Sequence, residues 1–191
     1  MTDSISTLPD RARTDASSLR LLNGSLLLAA ACSVVMFITL NFTTTSDRDF
    51  HHTADYWLTG NGLPFALAGI GMVLAVHRLH HGADGRLGTV GTWINTIALV
   101  ELFVQCTASL FESSEVRWGP SYPVFTALTF LGVALVAAGA WRAGLVPRWL
   151  LGVWPLAWVL GSFAAFGPMP LVLIAFVGVL GVALNQRTGR R

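Results

Sequence analysis

The sequence predicts an all-α fold, a polytopic membrane helix bundle of about six transmembrane helices with both termini cytoplasmic. Three observations carry that expectation. The chain is 53% hydrophobic but only 12% charged, about half the charged share of an ordinary soluble domain. Its apolar residues fall in long runs rather than at amphipathic spacing, and about 20 apolar residues cross the hydrocarbon layer of a bilayer. Finally, its arginines cluster in alternate connecting segments, the pattern that sets topology.

Residues 1–20 (MTDSISTLPDRARTDASSLR) are polar, with a proline and many small hydrophilic residues, and read as a disordered cytoplasmic tail. Six apolar segments follow at 21–42, 62–80, 88–111, 122–141, 149–166 and 168–185, making residues 21–185 one transmembrane domain. Residues 186–191 form a short basic tail. The box LAAAC (28–32) faintly resembles a lipoprotein cleavage site, but the apolar run continues past Cys32 through SVVMFITL, so an uncleaved helix is expected.

With the N-terminus inside, every arginine except Arg48 and Arg117 lies on the cytoplasmic side. An odd number of spans would move the basic C-terminal tail to the wrong side, which favours six. The connector GPMP (167–170) is short and the last two segments have about 18 residues each, enough to span at 1.5 Å per residue; a re-entrant hairpin is the alternative. All the basic residues are arginine, as in a GC-rich bacterial genome, so the expected location is the bacterial inner membrane. Tyr56, Trp57, Trp118, Tyr122, Trp141 and Trp149 fall near span ends, the depth favoured by amphipathic rings. Trp154 and Trp158 are deeper and share one face of the fifth helix.

A formal charge of +2 implies no nucleic-acid partner. The two cysteines, Cys32 and Cys106, lie in apolar runs and support neither a disulfide framework nor a zinc site. No cofactor is implied. The bilayer is the expected partner. Two small-residue faces, Ser25–Ala29–Ser33 and Ala157–Gly161–Ala165, predict close helix approach, inside one bundle or in a homo-oligomer.

The third span, IALVELFVQCTASLFE (97–112), carries a polar stripe. Glu101, Gln105, Ser109 and Glu112 step by four, four and three, so they share a helix face running from mid-membrane to the outer surface. A charged acid at a helix centre costs about 2.5–3.5 kcal/mol on insertion scales and is expected to face the bundle interior or a wet cavity. On the fourth helix, Tyr122, Thr126 and Thr129 form a facing stripe, with Gln105 and Thr129 expected at similar depth. The stripe reads either as a proton or solute path, with Glu101 as the coupling residue, or as interhelical polar glue containing a neutral glutamic acid.

Two further clusters stand out. The outer loop SDRDFHHTADYW (46–57) offers His51, His52 and Asp55 as ligands for a divalent transition metal, without the spacing of a closed site. HRLHH (77–81) resembles one histidine box of membrane di-iron desaturases. The chain's five histidines fall in two clusters on opposite sides of the membrane, so that resemblance fails. His77, His80 and His81 then read as interfacial residues at a helix C-terminus.

The turn WRAGLVPRWLLGVW (141–154), together with HGADGRLGTVG (81–91), resembles a broad group of small six-span bacterial membrane proteins whose fourth span ends in R-x-G-x-x-P-R-W. Arg142, Gly144, Pro147, Arg148 and Trp149 carry the match. The resemblance implies a fold and no activity. Three functional classes therefore stay open: a structural or accessory membrane protein, a small transporter or channel subunit, and a membrane-embedded enzyme with an outward-facing polar site near Glu112, Glu115 and the 46–57 loop.

Overall fold

The computed structural model describes residues 8–46, 48–116, 118–144, 146–163 and 167–188. Six helices follow one another: α1 (Leu8–Phe42), α2 (Thr53–Leu79), α3 (Gly85–Glu112), α4 (Ser121–Ala143), α5 (Arg148–Ser162) and α6 (Met169–Thr188). Each packs on its neighbours in sequence, and α6 returns to α1, so the helices form a closed ring. Their outward faces are apolar, as at Leu27, Leu67, Ile97 and Val182, which suits a lipid surrounding.

Five helices are long and apolar enough to cross a membrane: Ala16–Phe42 of α1, all of α2, α3 and α4, and Met169–Gln186 of α6. The fifth expected segment, 149–166, forms a helix shorter than its composition suggested. Its helix has 15 residues, about 22 Å of rise. Beyond it the chain turns through Gly167, whose φ of 51° is left-handed, into Pro168. Residues 164–166 lie outside the described residues, and with them Ala165 of the second small-residue face. So do Asp47, Arg117 and the ends of both tails, 1–7 and 189–191. At the N-terminus, α1 already begins at Leu8, within the stretch expected as a tail.

Polar side chains close the ring. Near one end Asn23 and Asn185 exchange amide hydrogen bonds (3.3 and 2.8 Å), tying the first helix to the last. Near the other, the Asn41 amide donates to the Gly167 carbonyl at 3.0 Å. Between them, Asn61 of α2 donates to the Cys32 carbonyl of α1 at 2.9 Å. The start of α1 and the end of α6 thus share one end of the bundle, called the terminal end below. The 43–52 and 113–120 loops lie at the opposite end.

The interior is filled by α5. Trp158 stacks on Phe65 of α2 with centroids 5.0 Å apart, and Trp154 on Phe176 of α6 at 6.2 Å. Both indoles are fully buried. The described residues of the small-residue faces pack within the chain. Ser25, Ala29 and Ser33 are buried, with Ser25 against Gly71 of α2, and Gly161 lies against Leu173 of α6.

A backbone-to-backbone approach lies where the two small-residue faces did not mark it. On α3 and α4, a Cβ added at Gly91 would lie 2.7 Å from the Gly132 carbonyl, and one at Gly132 would lie 2.6 Å from the Asn95 amide nitrogen. Further toward the terminal end, one at Gly139 would meet the Asp84 carbonyl and the Gly88 nitrogen at 2.8 Å. Only glycine permits this backbone contact. At the α4–α5 turn, Gly144 ends α4 in the left-handed conformation with its N–H on the Ala140 carbonyl. Pro147 starts α5, and the Arg148 guanidinium lies 5.7 Å over the Trp141 ring, a cation–π contact that staples the two helices.

Candidate functional site

Opposite the terminal end, the loops are built into a rim. Asp49 and Ser114 form an antiparallel bridge, flanked by Phe50 N–H to the Ser113 carbonyl (2.9 Å) and Glu115 N–H to the Arg48 carbonyl (2.8 Å). Asp55 anchors this rim to α2. Its buried carboxylate accepts three backbone N–H bonds, from Ser46 (2.7 Å), His51 (3.1 Å) and His52 (2.9 Å). The last makes it the acid of a capping box, which satisfies helix donors that have no partner of their own.

Beneath the rim lies a cavity of about 360 Å³, within the range of small-molecule sites. Its deep wall is apolar, with Met36, Phe65 and Leu102, and Cys106 and Gly62 meet beside them. Gln105, Ser109 and Tyr122 form its polar side, and Arg48 and Glu115 come from the two loops. Most of these polar groups are already held by protein. Gln105 Nε2 donates to the Val116 carbonyl at 2.8 Å and reaches Ser121 Oγ at 3.4 Å. Ser109 Oγ accepts from Val116 N–H at 3.0 Å. The Tyr122 hydroxyl donates to the Phe163 carbonyl at 3.0 Å. The Arg48 guanidinium makes no hydrogen bond or ion pair among the described residues.

The predicted stripe divides across this geometry. Gln105, Ser109 and Tyr122 meet at the cavity. Glu112 is exposed and stands outside it. Glu101 lies about one turn deeper on α3, off the cavity, half-buried, with Oε1 enclosed and without a hydrogen bond. Thr126 opens on a shallow apolar groove between α4 and α5. The expected pairing of Gln105 with Thr129 is not made. Gln105 is level with Ser121, and Asn95 with Gly132, so Thr129 sits about two turns further from the loops. Thr126 and Thr129 instead donate to the carbonyls of Tyr122 and Phe125, one turn back (2.7 and 2.8 Å), a local bond that competes with any across the pair.

His51 and His52 are exposed, and the Asp55 carboxylate is occupied by the rim, so the three do not converge on a common point. Among the described residues no group of three His, Cys, Asp or Glu side chains is arranged to hold a metal. Arg48, Cys106 and Phe163 escaped the sequence reading. Arg48 and Phe163 lie outside the stripe, on other elements. Cys106 follows Gln105 directly, and a thiol in an apolar run gives no signal of its own.

At the terminal end the histidines are more than interfacial. His77 Nδ1 donates to Asp84 Oδ2 at 2.6 Å. His80 is buried, with Nδ1 donating to the Val76 carbonyl at 2.6 Å and Nε2 enclosed without a partner. Burial pushes the His80 imidazole below the ordinary histidine value, against a smaller opposing pull from its bond to Val76 and from Asp84.

No family model, curated protein or solved structure matches the chain, so the geometry of the cavity carries the functional reading.

Proposed function

We propose that this chain is a six-span protein of the bacterial inner membrane with both termini cytoplasmic, and that it serves as an accessory protein that binds a small amphipathic molecule in its outward-facing cavity. The topology rests on charge. Arg20, Arg78, Arg86, Arg142 and Arg148 all belong to segments at the terminal end, while Arg48 stands on the opposite rim. We take α5 as a short sixth span, because it joins the terminal end of α4 to the loop end of α6. The turn motif at 142–149 supports kinship with the small six-span bacterial group that it resembles.

The single observation carrying the binding role is the cavity itself, apolar inside and polar at one side and the rim. Glu101 lies off that cavity, and the glycine contacts of α3 and α4 hold the bundle together beneath it. This favours binding over solute passage. Packed within the chain, Ser25, Ala29, Ser33 and Gly161 support the one-bundle reading of these faces.

Thiol labelling of intact cells checks the topology. In a background lacking Cys32 and Cys106, a cysteine at position 50 is expected to react from outside and one at the exposed position 83 is not; the reverse pattern overturns it. Mass analysis of protein purified in lipid nanodiscs checks the function. A co-purifying small molecule is expected, and it is expected to be lost from the cavity-filling variants Thr59→Trp and Leu102→Phe. Identical small-molecule content in all three proteins would remove the binding role.

A further inference from the structure

The distribution of charge around the cavity narrows its ligand. The deep wall offers only dispersion and hydrophobic contact, through Met36, Phe65 and Leu102. Phe65 is held by its stack on Trp158. Of the two described acids that line the cavity, Asp55 belongs to α2. Its oxygens are already covered by three N–H donors. Glu115 stands on the rim next to Arg48, to which its backbone is bonded. Arg48 is the described cation of the cavity, and its planar donor fork suits a carboxylate or a phosphate ester.

We infer that the ligand is a single-chain amphiphile with one negative charge, its hydrocarbon chain against Phe65 and Leu102 and its head on Arg48; this rests on the binding role proposed above. A carboxylate or a phosphodiester matches a single guanidinium. A fatty acid and a lysophospholipid both satisfy this chemistry.

Binding to the full-length protein in nanodiscs of zwitterionic lipid distinguishes the cases, with dodecanoate, a single-chain lysophospholipid of one net negative charge, dodecanol and acetate as probes. Dodecanoate or the lysophospholipid is expected to bind at least tenfold more tightly than dodecanol, and the stronger of the two names the source of the head. Acetate is expected not to bind. Arg48→Gln is expected to erase the preference over dodecanol, and Arg48→Lys to keep part of it. The Arg48 side chain is exposed, so these variants leave the packing intact. If dodecanol binds as well as the anions, or if the preference survives Arg48→Gln, the head assignment is overturned and the binding role stands. If no chain-bearing probe binds, and Thr59→Trp and Leu102→Phe change nothing, the binding role falls as well.

Discussion

At the terminal end α3 and α4 meet backbone to backbone, through Gly88, Gly91, Gly132 and Gly139. At the other end the same two helices stand in the wall of a cavity, and loops rather than helices supply much of the rim. Small residues decide the first end: a missing Cβ lets dispersion contacts and weak backbone interactions accumulate where lipid gives no hydrophobic drive for helix association. Hydrogen bonds decide the second, since loop backbone at membrane depth or at the interface needs partners, and Asp55, Gln105 and Ser109 provide them. One end is therefore sensitive to added volume, the other to lost acceptors and donors.

The largest effect is expected at the glycine end. Gly132→Ala places a methyl group 2.6 Å from the Asn95 backbone nitrogen, with no flexible side chain to give way. Overpacking of this kind costs about 1–3 kcal/mol, and Gly132→Val more. Thermal unfolding in detergent is the measurement. Gly24→Ala, where a Cβ meets nothing within 4 Å, is the control and is expected to leave the midpoint unchanged. Equal midpoints for Gly132→Ala and wild type would mean that the two helices do not touch there.

Next comes Asp55. Asp55→Ala strands the N–H groups of Ser46, His51 and His52 in a part-buried rim, and hydrogen bonds to charged groups are each worth about 1.5–3 kcal/mol. The loss is expected to appear locally, as faster amide exchange at those three residues and as protease sensitivity within 43–52, while α3–α4 exchange stays slow. Asp55→Asn keeps an acceptor and is expected to fall between. Uniform acceleration over the whole chain would show that the two ends unfold as one unit.

These two sites differ in how well the sequence announced them. The spans α2, α3, α4 and α6 were legible because apolar runs of that length have few other uses. The turn at Gly167 and Pro168 was legible as the GPMP connector, but α5 ends earlier, at Ser162, which composition does not reveal. Gln105, Ser109 and Tyr122 were found by helical periodicity, which works within one helix. The register between helices was not legible, and Thr129 was misplaced by about two turns for that reason. Asp55 was noticed for the wrong chemistry: three positions after His52, an acid can cap as readily as it can ligate. The glycines of α3 and α4 were visible in the sequence, but which of them touch depends on the same unseen register.

A smaller effect follows from His80, at the glycine end. Its folded-state pKa lies below the ordinary value of 6.5, so the unfolded chain binds the proton first as pH falls. Stability from this residue is complete above about 6.5 and is lost as pH drops below it. Protonation would also create a buried Nε2–H with no acceptor. Asp84, His77 and His81 face the same group, so the comparison must be made in one background. His80→Gln is expected to flatten the fall in unfolding midpoint between pH 7 and pH 5, and an unchanged slope would assign the acid sensitivity elsewhere.

The smallest effect is expected between the two ends, at Glu101. It lies off the cavity, makes no hydrogen bond, and touches neither the glycine contact nor the rim. Glu101→Gln keeps the shape and removes the ionisable group, so unfolding midpoint and amphiphile affinity are both expected to stay near wild type, within about 0.5 kcal/mol. Glu101→Leu is expected to hold or raise stability, because an unpartnered carboxyl in a bilayer favours replacement by hydrocarbon. A large loss of cellular function in Glu101→Gln with stability intact would make this carboxyl a working group. The division of the molecule into a packed end and a binding end would then need a third part: a proton or cation site in the middle of α3.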